Sequence, residues 1–155
     1  MLHAAGCWRP GSCENASHTD RLMDESLLTV YLEDWGRAGD IGLVARREGR
    51  PVGAVLVRRS SIERHGFGFI DRHTPELPLA IIEPERGRGI GRQLMQVPLD
   101  DPRLTGVDRL SLSVEADSPA RALCERLGFT TWRASRGART LVLDLSAGPT
   151  STQTV

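Results

Sequence analysis

The residues with the most chemistry in their spacing are Arg86-Gly87-Arg88-Gly89-Ile90-Gly91, placed between the apolar run Leu77 to Ile82 and a helix expected from about Gly89. Glycines at alternate positions remove the Cβ atoms that keep a bulky anion away from the backbone. A helix starting just after them turns its free N–H groups and the positive end of its dipole toward that anion. The arginines add charge. The segment therefore reads as a cradle for phosphate or pyrophosphate. It is not a P-loop, because Gly91 is followed by Arg92-Gln93 rather than Lys-Ser or Lys-Thr. It is not a dinucleotide fingerprint either, because only Ile90 separates its last two glycines.

The elements that must position this loop follow from periodicity and punctuation. Leu110-Ser111-Leu112-Ser113-Val114 alternates as a half-buried strand. Asp117 or Ser118 can cap a helix that has Pro119 in its first turn and Gly128 past its end. Ala120, Leu123, Cys124 and Leu127 then fall on one helix face. Upstream, residues 21–35 carry Leu22, Leu27, Leu28 and Tyr31 at helical spacing. Ile41 to Arg47 and Pro51 to Arg59 read as strands of a hairpin turning at Glu48-Gly49-Arg50. Residues 60–75 read as a long loop with a short extended piece at Gly66 to Ile70, and Glu76 to Ile82 as the strand before the glycine loop. Pro98 and Pro102 should stop the helix after that loop early. Arg109 to Val114, Thr131 to Ala134 and Thr140 to Leu145 complete the strands, with a turn at Arg136-Gly137. The expectation is a single α/β domain over residues 1–145 and a disordered polar tail over 146–155.

Arg86, Gly89 and Gly91, together with the strand, helix and Leu127-Gly128-Phe129 turn downstream, resemble the pyrophosphate loop and following segment of the GNAT superfamily, the CoA-dependent N-acetyltransferases. The resemblance covers about residues 22–145 and is strongest over 76–129. It implies a mixed, twisted central sheet flanked by helices, with two central parallel strands that splay apart where the cofactor sits. It implies acetyl-CoA as co-substrate, a primary amine of a small molecule or protein as acceptor, and room for a homodimer. Arg86, Gly87, Arg88, Gly89, Ile90, Gly91 and Arg92 would hold the pyrophosphate and Ser118 would touch the cofactor. Main-chain groups of Ala80, Ile81 and Ile82 would grip the pantetheine arm.

Acetyl transfer to an amine needs a neutral amine, a stabilised carbonyl oxygen and a protonated leaving thiolate. By the resemblance, Glu76 is the candidate base and Cys124 stands where the family often has an acidic Tyr. Tyr31, Trp35 and Phe69 are acceptor-side candidates, with packing as the competing role for each. Several residues depart from the family pattern. Pro78 lies inside the cofactor strand, where its missing donor is tolerable only if it faces the splayed gap. Glu85 adds negative charge beside the phosphate loop. Met1 to Trp8 lacks the alternation of a first strand, and that strand is expected to be missing. A catalytically weak or inactive CoA-binding or protein-interaction domain stands as the alternative function.

Composition bounds the rest. With 155 residues there is room for one domain with a real core. Twenty basic and twenty acidic residues leave no net field, so nucleic acid and anionic membranes are not expected partners. Cys7, Cys13 and Cys124 are an odd number at no metal-like spacing, which fits free thiols in a reducing cytoplasm; no metal site is expected. No apolar stretch reaches membrane-spanning length, and no signal peptide is evident at the N-terminus.

Overall fold

A computed structural model describes residues 30–146. Within them run β1 (Ile41–Arg47), β2 (Arg50–Val57), β3 (Leu79–Ile81), α1 (Ile90–Gln96), β4 (Arg109–Glu115), α2 (Pro119–Arg126), β5 (Thr130–Ser135) and β6 (Ala138–Asp144). The strands form two three-stranded sheets, ordered β1-β2-β3 and β4-β6-β5. Pairing is antiparallel within each sheet. The expectations placed on residues 1–29, including the missing first strand and the start of the first helix, lie outside the described residues, as does the tail beyond Ser146.

Local chemistry explains the connections. Glu48 and Gly49 both have positive φ, 50° and 77°, the pair of left-handed residues that a two-residue hairpin turn needs. Around α2, the Ser118 hydroxyl caps the Ala120 N–H, and Pro119 occupies the first turn. At its far end the Phe129 N–H returns to the Cys124 carbonyl across Gly128, whose φ is 94°. The prolines act on α1 as expected. It ends at Gln96 and gives way to two 3₁₀ turns, Val97–Asp100 and Pro102–Leu104. Residues 66–70 form no strand.

The strand expected over Glu76 to Ile82 is cut in two, and Pro78 is the reason. Glu76 pairs antiparallel with Arg58 and parallel with Ser111. The Leu77 N–H donates to the Ser111 carbonyl at 2.7 Å, and the Ser111 N–H donates to the Pro75 carbonyl at 2.9 Å. This short parallel joint connects the two sheets. The Leu56 N–H then donates to the Pro78 carbonyl, so the donorless proline nitrogen faces β2 rather than β4. The ladder lapses there and resumes at Leu79.

One core spans both sheets. Ile41 and Val55 of the first sheet, Leu77 of the joint, Leu110, Leu112 and Leu141 of the second sheet, and Leu94 and Met95 of α1 all belong to it. Of the helix face expected on α2, only Cys124 is buried; Leu123 and Leu127 lie at the core margin and Ala120 is exposed. Each fully buried Leu contributes about 1.5–3 kcal/mol, so this shared core ties the sheets together far more strongly than the joint's few hydrogen bonds.

Candidate active site

Alternation along a strand sends successive main-chain groups to opposite sides. Glu76, Pro78, Ala80 and Ile82 address β2: Ala80 is paired with Ala54, and the Ile82 N–H donates to Val52. The Ile82 carbonyl is taken by the Glu85 N–H. Leu77 addresses β4, and so, by alternation, do Leu79 and Ile81. Among the described residues no backbone hydrogen bond links Leu79–Ile81 to β4. Backbone pairing between the two sheets thus ends at the joint. Of the three residues expected to offer polar groups to a cofactor, Ala80 and Ile82 are committed to β2. Ile81 remains, and Leu79 joins it. The Ile81 carbonyl accepts from Arg86 Nε at 3.1 Å, which straps the glycine loop to the strand.

The loop itself has the conformation its glycines permit. Gly87 and Gly89 have φ of 73° and 81°, and a Cβ built on either would meet nothing within 4 Å. Gly91 serves packing: its Cβ would lie 3.1 Å from Ile81 and 3.2 Å from Leu123. The Gln93 N–H makes the first helical bond, to the Gly89 carbonyl. The N–H groups of Ile90, Gly91 and Arg92 therefore start the helix without helical acceptors. Arg88 and Arg92 are exposed and Ile90 is half-buried. The carboxylate of Glu85 pairs with Arg47 at 2.9 Å and lies 3.5 Å from Arg88 Nε. Its charge is thereby offset, which answers the expected conflict with an anion.

Ser118 and Cys124 follow β4, at the cap and in the body of α2. Ser118 is buried and its hydroxyl is engaged in capping. Cys124 is 3% exposed, and burial pushes its thiol up to about 11. It is held as a neutral thiol at ordinary pH.

Glu76 is 1% exposed, and its carboxylate is fully occupied. Oε1 accepts from the Ser60 hydroxyl at 2.7 Å and the Gly66 N–H at 2.9 Å. Oε2 accepts from the Tyr31 hydroxyl at 2.9 Å and the Gly68 N–H at 3.0 Å. The Tyr31 hydroxyl in turn accepts from the Phe67 N–H at 3.2 Å. Burial, and next the Glu76 charge, push the Tyr31 phenol far above its ordinary range. Tyr31 is thus buried bracing. Trp35 covers Gly42, where a Cβ would lie 2.7 Å from the indole, with the Arg58 guanidinium 5.9 Å from its ring. Phe69 stacks on His65 with centroids 4.4 Å apart. The structure therefore brings Tyr31 to Glu76, places Phe69 in the neighbouring loop, and sets Trp35 over β1. Sequence reasoning missed Ser60, Gly66 and Gly68. A signal was available in Gly66-Phe67-Gly68-Phe69, a second run of alternate glycines.

The chain matches the pattern of the "Acetyltransferase (GNAT) family" over residues 8–129. It is 40% identical over 70 residues to a mycothiol acetyltransferase of Corynebacterium glutamicum strain R, a stretch that is 42% of this chain and 24% of that protein. It is 45% identical over 62 residues to the mycothiol acetyltransferase of Beutenbergia cavernae, covering 39% of this chain and 21% of that one. The matched stretches span less than a quarter of these curated relatives. In fold it resembles the PaiA N-acetyltransferase of Thermoplasma acidophilum in complex with coenzyme A, with TM-score 0.64 and 13% identity over 92% of this chain and 87% of that one. The glycine loop, the interrupted strand beside it, and a family match over most of the length lead to one conclusion: this chain belongs to the GNAT acetyltransferase family.

Proposed function

We propose that this chain transfers an acetyl group from acetyl-CoA to a primary amine. The observation that carries the reading is the loop 86–92. It offers two left-handed glycines with open space above them and a helix start whose first N–H groups have no helical acceptors, beside a strand whose main chain makes no backbone hydrogen bond to β4. These residues fit the cofactor's charged and amide-bearing parts. Gly87 to Arg92 would receive the pyrophosphate, and the outward main-chain groups of Leu79 and Ile81 would receive the pantetheine amides. The end of pairing at the joint is read as the splay of the family's two central parallel strands. Acetyl-CoA supplies an activated thioester. The amine nitrogen forms the new bond to its carbonyl carbon, the carbon–sulfur bond breaks, and the amine's proton leaves.

Two further roles follow from the surroundings. The buried thiol of Cys124, with its raised pKa, is a poor donor to a departing CoA thiolate, which must take its proton from water. Ser118 supports the site by fixing the start of α2. The experiment is release of free CoA thiol from acetyl-CoA across a panel of amines, beside melting curves with CoA, ATP and NAD. Turnover of an amine, with stabilisation by CoA above the other two, is the expected result. Stabilisation by CoA without turnover of any amine would instead identify a CoA-binding domain that does no chemistry. Equal stabilisation by ATP would remove the cofactor assignment.

A further inference from the structure

We propose that Glu76 is a positioning residue whose carboxylate organises the acceptor-side wall, and that it does not take the acceptor's proton. The inference rests on the acetyl-transfer reading above for its kinetic part and on geometry alone for its structural part.

A carboxylate has about four lone-pair sites. Those of Glu76 receive four donors, from Ser60, Gly66, Tyr31 and Gly68, all at 2.7–3.0 Å. No site is left for an amine or for a water that would relay its proton. The donors come from three places in the chain, and two of them are backbone N–H groups that only glycine can bring so close. A Cβ on Gly66 would overlap the Tyr31 ring, and one on Gly68 would lie 2.9 Å from the Leu112 backbone. The turn at residues 66–68 thus forms a nest around an internal anion.

The nest also has a place. Glu76 and Ser111 form the parallel joint, and Gly68 lies on Leu112 and Ser113, the next residues of β4. The pinned segment 66–69 therefore crosses the point where that pairing ends, with Phe67 exposed and Phe69 stacked on His65. An amine entering beside the joint would meet this segment. The charged and titratable groups around the carboxylate are Tyr31, His65 in the same loop, and Arg58, its bridge partner just past β2. Arg58 is turned to Asp40, 3.7 Å away, and to the Val30 carbonyl, so it leaves the nest's geometry to the neutral donors.

The test is Glu76→Gln, read in three ways. An amide placed in the nest must set its NH₂ against either the Gly66 or the Gly68 N–H, whichever way it is turned. Amide hydrogen exchange at Gly66 and Gly68 should accelerate at least roughly tenfold, and Tm should fall by about 3–8 °C. The KM for the amine should rise severalfold while kcat at saturating amine stays within about threefold. The acidic limb of the wild-type pH–rate profile should follow the pKa of whichever amine is supplied and should survive in the variant. A general base behaves otherwise: whatever happens to exchange and Tm, kcat is lower by ~100- to 10,000-fold and the acidic limb is lost. That outcome overturns the proposal. If Glu76→Gln does not fold, Tyr31→Phe and Ser60→Ala each remove one donor and keep the carboxylate. Raised KM and faster exchange in both support the nest, and an acidic limb displaced by the same amount for every amine defeats it. Exchange and Tm need no turnover, so failure of the acetyl-transfer reading and failure of this one are told apart.

Discussion

Cys124 shows how far a residue's identity and its surroundings can diverge. A thiol has a lower ordinary pKa than a phenol, so on paper Cys is an adequate stand-in for a proton-donating Tyr. In the fold it sits in the core at 3% exposure with its pKa raised from 9.0 to about 11. Because the folded value lies above the unfolded one, the contribution to stability is complete below about pH 9 and is lost as pH rises toward 11. Stability measured by denaturant titration should therefore decline over that window, and Cys124→Ala in a Cys7→Ser, Cys13→Ser background should flatten the decline. In that background with Cys124 intact, alkylation at neutral pH should be slow until denaturant is added. Cys124→Tyr, attractive if the position faced the cofactor, should cost ~1–3 kcal/mol by overpacking and bring no gain in rate.

The loop and the helix it opens behave as a unit. Gly89 precedes α1 in a left-handed conformation with open space where a side chain would go. The obstacle to substitution is therefore backbone strain together with occupation of the cradle. Gly89→Val should weaken folding by about 1–2 kcal/mol, the cost of a left-handed L-residue. It should also abolish the rise in Tm produced by acetyl-CoA. Retention of the full ligand-induced rise would move the cofactor site elsewhere. Gly91→Ala gives a contrast, since its Cβ would press on Ile81 and Leu123 rather than on ligand space. Its effect should be mainly on Tm, with the ligand-induced rise largely kept.

At the scale of the molecule, the two sheets meet through a single parallel bridge, Glu76 to Ser111, but share one core. Residues from both sheets lose their solvent together, so the described region should unfold in a single transition. Leu110 and Leu141 are fully buried, one on β4 and the other on β6. Leu110→Ala should lower the stability of the whole by about 2–5 kcal/mol. Far-ultraviolet dichroism and tryptophan fluorescence should still report one coincident midpoint. Two separated transitions would show that the sheets fold independently.

What the sequence by itself determined was whatever is written in neighbours along the chain. The hairpin at Glu48-Gly49 needs two left-handed residues, α2 needs Ser118 before it and Gly128 after it, and α1 is stopped by Pro98. These are local stereochemical demands, and so is the left-handed glycine loop that made the family legible. The tertiary structure alone decided the side of a strand to which a polar group is turned, because that depends on which neighbour lies there. Pro78 turned its nitrogen to β2, and Ala80 and Ile82 were claimed by the same sheet. It also decided the surroundings of Glu76. Tyr31 and Ser60 lie 45 and 16 residues away in sequence, and no local pattern states that their hydroxyls close on one carboxylate. A buried charge must collect its partners from wherever the fold brings them, so the role of that residue was open until the chain was seen in three dimensions.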